Sequence, residues 1–511
     1  MRQSHLILSN AAIIWITRVL LLVPQLILVP YLIGTIGEAG YGIYALVWSL
    51  MMSIDLMEKS LQSGVVKYSA GYFAQGQMEQ VNKVVSSSFV YSMVLAVLAS
   101  AGILLAAAFY RSQTGQIGAA LVVVGIMVLF IIPLTPYIAI IQSRQRYYVG
   151  AIAETVSKYI SLAAIVVWFR TAGPSVEALI IIMAGTLFLS RLAQVPVAYR
   201  LVPGLRNHPS SFDWKSFRLI AAFGAATVLA AICMAVNSTG VRWLMDALVS
   251  TSFVAHLAIM LMPGLLLTQI IGAATVTIMP ATSAYEATGN QPMLRELLLR
   301  GMRYTMILVL AGLMVAAVLM RNVLGIWVGP DYEFLAPYAL ALFASVSFML
   351  GTSTAHHMLK GMGRLRAVVI IYALGFVVVP IGLILALFHA GYNPYLAVTL
   401  GLAAGHLVCG CLNVAVCAKA VHANPRKIFT RVYAQPLAIA ATISLITFGI
   451  ITITEIDNLT GRTCIAALAI GLFFVGCYAF IATRAERQQA RAITKIVMNR
   501  ISTMLRKTRQ T

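Results

Sequence analysis

Ten ionisable side chains interrupt otherwise apolar stretches of this chain: Arg18, Asp55, Glu58, Lys59, Glu154, Lys158, Arg191, Arg242, Asp246 and Arg321. Asp55–Lys59, Glu154–Lys158 and Arg242–Asp246 are each spaced i, i+4, so each pair can meet along one helix face. Arg18 and Arg191 have no acid at that spacing. A guanidinium makes two parallel charge-assisted hydrogen bonds to phosphate oxygens, so an unpaired Arg suits a diphosphate. The carboxylates suit charge pairing or ion coupling instead. No P-loop, Gly-rich dinucleotide turn or metal-ligand cluster accompanies them. Without an ATPase motif, uphill work would have to draw on an H+ or Na+ gradient or on the membrane potential. No cofactor is expected. His356-His357 beside Lys360 read as a solvated pair at a helix end.

The elements that must hold these groups are set by composition. The 511 residues are 60% hydrophobic and 10% charged, with a mean hydropathy of +0.90. A soluble domain has too little interior for that much apolar surface. Apolar runs of about 20 residues cross a ~30 Å hydrocarbon core as helices. The chain therefore reads as an all-α polytopic membrane protein with about fourteen transmembrane helices. Spans are expected near 9–33, 40–63, 84–109, 117–141, 150–169, 175–199, 218–244, 249–279, 304–327, 336–359, 367–389, 394–418, 434–454 and 463–482.

Of the 36 Lys and Arg, Arg111, Arg170, Arg242, Arg321 and Arg462 lie at odd-numbered hairpin ends, and Arg18, Lys158 and Arg191 lie deep in spans. The other 28 collect at the N-terminus, the even-numbered loops and the C-terminal tail. The positive-inside rule then puts both termini in the cytoplasm. This asymmetry also accounts for the formal charge of +21, because a basic inner face suits anionic lipid headgroups. No globular basic domain is present to bind nucleic acid. The first span follows a short head and exceeds signal-peptide length, so it is expected to remain as an anchor. The six cysteines lie almost wholly within spans and read as small packing residues. Asn237-Ser238-Thr239 matches a glycosylation sequon by chance, since it lies inside a span; Asn458-Leu459-Thr460 also matches.

Two polar loops punctuate the apolar rhythm. Arg200 to Arg218, with Pro203, Gly204 and Pro209, separates six spans from eight. Tyr285 to Arg303 echoes Tyr72 to Val85: a shift of 213 pairs Tyr72 with Tyr285, Ala74 with Ala287 and Gly76 with Gly289. The echo suggests two pseudo-symmetric six-helix bundles plus two C-terminal helices. The expected division is 1–200, a cytoplasmic linker at 201–217, 218–419, the last two spans in 420–483, and a tail at 484–511. In that tail Ile493, Ile496, Val497, Ile501, Met504 and Leu505 recur at helical spacing among Lys and Arg, as in a helix lying on the inner leaflet.

An ionisable group at the centre of a span costs about 2.5–3.5 kcal/mol. Arg18 and Arg191, unpaired along their own helices, are expected to face a water-filled cavity with a cationic lining, joined by Lys59 and Arg242. A cationic cavity implies an anionic cargo. For Lys59, Arg321 and the Arg242–Asp246 pair, neutralisation or snorkelling to the headgroups remains an equal reading.

The segment Leu28 to Gly76 resembles the second-span region of the Wzx-type oligosaccharide flippases of the MOP (multidrug/oligosaccharidyl-lipid/polysaccharide) exporter superfamily. The likeness rests on Gly37 to Tyr44 (GEAGYGIY), on Asp55 and on Lys67-Tyr68; Val323 to Ala344 resembles the family's hairpin between spans nine and ten. The resemblance implies that spans 1, 2, 7 and 8 line a V-shaped cavity between two lobes, with Arg18, Asp55, Lys59 and Arg242 on or beside its wall. It implies a polyprenyl (undecaprenyl) diphosphate-linked oligosaccharide as cargo, moved from the cytoplasmic to the periplasmic leaflet of a bacterial inner membrane for O-antigen, capsule or exopolysaccharide. Membrane lipids, a polysaccharide polymerase and chain-length machinery are the implied partners. The second half holds few deep charges, so the implied lining is lopsided.

Other readings stay open. A cation-coupled drug exporter of the same superfamily would want deep acidic groups, and twelve spans would be more usual. A membrane glycosyltransferase or polymerase would need large hydrophilic loops, whereas the outer loop around Glu455 to Arg462 is short. A lipid scaffold without transport is compatible with every feature above.

Overall fold

The computed structural model describes residues 2–111, 115–275, 278–454 and 458–481. The basic tail lies outside them. The first half contains α1 (Arg2–Ala74), α2 (Met78–Arg111), α3 (Gly115–Ile131), α4 (Thr135–Ser143), α5 (Tyr147–Thr171), α6 (Val176–Leu192) and α7 (Gln194–Leu201). The second contains α8 (Trp214–Ala235), α9 (Val241–Leu248), α10 (Thr251–Thr275), α11 (Ile278–Ala287), α12 (Gln291–Trp327), α13 (Ala336–Gly351) and α14 (Ser353–Gly361). It continues through α15 (Leu365–Tyr372), α16 (Val379–His389) and α17 (Pro394–Ala420), before α18 (Pro425–Ile428), α19 (Gln435–Thr454) and α20 (Leu459–Gly476).

A backbone in hydrocarbon must satisfy its own hydrogen bonds, so apolar runs of this length have only helix available. Thirteen described segments are long and apolar enough to cross a membrane. The first, Val19–Phe73, has 55 residues; at ~1.5 Å per residue it is more than twice as long as a ~30 Å core is thick. It breaks at Gly37, where φ is 73° and ψ 175°, a conformation that needs a residue without Cβ. That segment therefore makes two crossings, and the expected all-α architecture of about fourteen spans is what the structure contains. Outward faces stay apolar, as at Leu445, Ile453 and Phe480.

The echo between the two polar loops is a repeated turn. Gly76 and Gly289 both take positive φ, 69° and 63°. Gln77 N–H donates to Tyr72 O and Asn290 N–H to Tyr285 O, both at 3.0 Å. Downstream the halves stay in step: α5 and α15 start 218 residues apart, as do α6 and α17. Several helix starts carry a side-chain cap: Ser175, Asp213, Asn290, Asn393, Asn424 and Asn458 each accept a backbone N–H. Pro394 and Pro425, at first helical positions, supply a pre-set φ.

The segment joining the halves is tied to α2. Asn82 donates to Gly204 O (3.2 Å) and accepts from Arg206 N–H (2.9 Å), while Ser87 exchanges two 3.0 Å bonds with the Asp213 backbone. Asn207 donates to the Tyr137 hydroxyl at 2.9 Å. Ser86 and Ser87 are buried beneath this strap, and both hydroxyls have backbone partners in it. At the far end, α19 and α20 pack together and against α12.

Candidate functional site

Four helices of the first half converge on one set of charges. Asp55, Glu58 and Lys59 come from α1, Thr135 from α4, Lys158 from α5 and Arg191 from the end of α6. Arg191 Nη1 donates to Glu58 Oε2, and its Nη2 to Asp55 Oδ1 at 3.2 Å. Thr135 Oγ1 donates to the same Glu58 oxygen at 2.9 Å. Lys59 Nζ meets the other Asp55 oxygen at 2.6 Å. The Asp55–Lys59 pair expected from its spacing is therefore present. Arg191 corrects the expectation made for it: it is buried against two carboxylates from another helix and is not an open cation. Sequence spacing could not reveal this, since 133 residues separate Arg191 from Glu58.

The Glu154–Lys158 pair also differs from expectation. Lys158 Nζ lies 5.1 Å from the centroid of the Trp48 ring, while Glu154 is exposed. An aromatic face offers a cation a partly desolvated resting place. With Asp55, Glu58 and Glu154 facing Lys59, Lys158 and Arg191, the region is charge-balanced and not a purely cationic lining. Lys59 is its most open cation, with 61% of the side chain exposed.

The seam between the halves holds the other candidate. Thr239 Oγ1 donates to Ser49 O at 2.8 Å and lies 2.6 Å from Ser53 Oγ, stitching α1 to the wide helical turn at Val236–Gly240. One turn on, Arg242 has Tyr41 and Tyr44 of α1 as its electrostatic neighbours. Its Nε is buried with no hydrogen-bond partner, as are Asn237 Oδ1 and Trp243 Nε1. The i, i+4 pairing with Asp246 does not form; Asp246 accepts from Thr251 Oγ1 at 2.7 Å instead. Arg242 therefore has no carboxylate within ion-pair distance among the described residues.

Beyond Arg242, at the Gly37 end of α1, the halves are bridged by residues that sequence reasoning missed. Glu38, next to the Gly37 break, accepts from the Tyr332 hydroxyl at 2.7 Å and lies 3.4 Å from His256 Nε2. The other His256 nitrogen is 2.6 Å from the Tyr395 hydroxyl. Trp327 Nε1 donates to Leu26 O at 2.7 Å. Gly42 abuts the Thr251 carbonyl so closely that a Cβ would overlap it. A His within an apolar span and a Glu at a helix break were the available signals.

The remaining candidates are placed elsewhere. Arg321 pairs with Glu333 at 2.7 Å, the neutralised reading. The Arg18 side chain lies outside the described residues. His356-His357 are not a solvated pair: His356 stacks on Tyr372 and bonds its hydroxyl at 3.0 Å, while His357 lies 3.2 Å from Thr275 Oγ1.

No family model matches the chain, and no curated protein matches it in sequence. Solved structures do match in shape. An inward-facing multidrug resistance MATE family transporter of the MOP superfamily aligns with a TM-score of 0.68 at 15% identity, covering 80% of this chain and 95% of that one. A lipid II flippase, MurJ, in an inward closed conformation aligns with a TM-score of 0.67 at 13% identity, covering 92% and 99%. An outward-facing MATE family transporter aligns at 0.60 and 15% identity, covering 81% and 96%. At such low identity the likeness is one of fold, and the fold of this chain is that of MOP-superfamily transporters.

Proposed function

We propose that this protein is a flippase that carries a lipid-linked oligosaccharide, held by its diphosphate, across a bacterial inner membrane by alternating access. The observation that carries the reading is Arg242: a cation at the seam between the halves, with a buried unsatisfied donor and no carboxylate partner. Such a group is costly in a membrane unless water or a ligand attends it, and phosphate oxygens fit a guanidinium fork. Lys59 is the second proposed contact, being the open member of the charge-balanced group. The lipid tail would stay in the bilayer while the headgroup crosses a hydrated cleft.

Two further points support this reading. The polar contacts of α1 with α10 and with the turn after α12 lie at its Gly37 end, and the higher TM-scores are to inward conformations. The likeness to the lipid II flippase also extends over more of the chain than the likeness to the drug transporters. An undecaprenyl diphosphate carrier serving O-antigen, capsule or exopolysaccharide assembly is the cargo class proposed, with the polymerase machinery downstream.

The test is a proteoliposome assay of leaflet accessibility, using a fluorescent polyprenyl diphosphate-linked glycan. Wild-type protein should move it, Arg242→Ala should lose most of that activity, and Arg242→Lys should keep an intermediate rate because a point charge replaces a fork. Full activity in Arg242→Ala removes the residue from the mechanism. A wild-type protein that leaves the glycan in place but transports a cationic dye overturns the flippase reading in favour of drug export.

A further inference from the structure

A second cationic site lies away from the seam, on the inner face, where the main bundle meets the two added spans. The first turns of α12 present Arg295, Arg300 and Arg303, and the opposite wall supplies Lys427 and Arg431 from α18 and the turn after it. Together they line a cavity of about 470 Å³. Among the described residues Glu296 is its one carboxylate, and it is engaged by Arg300 at 2.5 Å.

The site is built and not merely crowded. Arg295 Nε donates to Val421 O at 2.8 Å, which fixes the loop before α18 against α12. Arg303 is buried, its guanidinium over the Tyr304 ring. Lys427 and Arg431 are exposed. With Arg300 paired to Glu296, the Arg295, Lys427 and Arg431 charges leave a positive field inside a concave wall, which calls for an anion.

The surroundings say which anion. Phe429, between Lys427 and Arg431 in sequence, is 65% exposed, and Met293 and Tyr304 are exposed beside the α12 cations. Apolar side chains this open, beside a basic pocket at the start of two spans, mark the level where acyl chains give way to headgroups. Free phosphate shares the headgroup chemistry but gains nothing from these apolar neighbours.

We propose that this pocket binds the phosphate headgroup of an anionic membrane lipid, whose acyl chains lie along Phe429 and Met293. The bound lipid would brace α18–α19 against α12. This assignment does not depend on the cargo proposed above.

The test uses the full chain in nanodiscs, with lipid retention read by native mass spectrometry. The probes are cardiolipin and phosphatidylglycerol against phosphatidylcholine. Lys427→Ala/Arg431→Ala changes only exposed side chains and should weaken retention of the anionic lipids about 10- to 30-fold, at ~1 kcal/mol per surface cation and 1.4 kcal/mol per decade. A control, Arg206→Ala/Lys215→Ala, removes the same charge from the linker and should change retention little. Equal loss in both doubles, or no loss in the first, overturns the proposal. In detergent, thermal stabilisation by inorganic phosphate that matches the lipids would also overturn it, by assigning the site to the free ion.

Discussion

Replacing Arg191 with Ala would remove one arm from a network whose other members stay in place. Glu58 keeps only 4% of its side chain exposed and Arg191 10%, so neither is well hydrated. Without Arg191, Asp55 retains Lys59 at 2.6 Å, but Glu58 retains only the Thr135 hydroxyl. The cost therefore falls on Glu58, and breaking a buried pair in this way is worth about 3–5 kcal/mol. Lys59→Ala is the internal comparison: its ammonium is mostly exposed, and such a pair contributes about 0–1 kcal/mol. Thermal unfolding in detergent, followed by fluorescence-detected size exclusion, should place Arg191→Ala well below Lys59→Ala. Glu58→Gln/Arg191→Gln, which removes both charges, should recover part of the loss, giving a coupling of about 0.5–3 kcal/mol in a double-mutant cycle. The flipping assay should rank the variants the other way, with Lys59→Ala reduced more than its stability predicts. If Arg191→Ala unfolds with wild-type stability, or the cycle shows no coupling, the network does not hold α6 to α1 and this reasoning fails.

Other perturbations test the seam and the strap. Gly42→Ala puts a methyl into the Thr251 carbonyl, so the outer ends should separate; maleimide should then label a Phe253→Cys reporter from outside, and continued protection refutes the close approach. Tyr332→Phe removes one donor from Glu38 and should weaken outer closure by about 0.5–1.5 kcal/mol, while Glu38→Ala should open it further, both read by the same labelling. Asp213→Ala removes the cap of α8 and should cost about 1 kcal/mol. Hydrogen bonds from Ser216 hold the Asp213 carboxyl below its ordinary value near 3.8; that contribution is complete above this pH and is lost as pH falls through the lowered value. A cap effect unchanged between pH 7 and pH 3 would contradict it.

Much of this fold is legible because a bilayer turns composition into structure locally. Span count and the Gly76–Gly289 turn follow from residues close together in sequence. The charges were also visible, since insertion cost is a property of one position. Their partners were not. The i, i+4 rule found Asp55–Lys59 but misassigned Glu154–Lys158 and Arg242–Asp246. In the first case the Trp48 face holds the lysine, and in the second Thr251 holds the aspartate. Glu38 and His256 escaped notice because each gains meaning only when spans from opposite halves meet.

These reassignments change where binding energy can act. Arg191 is already satisfied, so phosphate could reach it only by displacing two carboxylates, which would repel the ligand. Arg242 sits at the seam with an unsatisfied donor, under the latch formed by Glu38, His256, Tyr332 and Tyr395. A ligand moves a conformational equilibrium only by its difference in affinity for the two states. Phosphate at Arg242 would relieve a burial cost that exists while the outer ends are closed, and so would favour that state on its own. Opening must therefore be driven by something that weakens the closed seam more than phosphate strengthens it. Glu38 and His256 bridge the seam there. Glu38→Gln would weaken both of its contacts, to Tyr332 and to His256. With Arg242 intact it should raise the outward-open population and change the flipping rate, read by the maleimide labelling and the leaflet assay. Unchanged labelling would leave the pair without a part in closure.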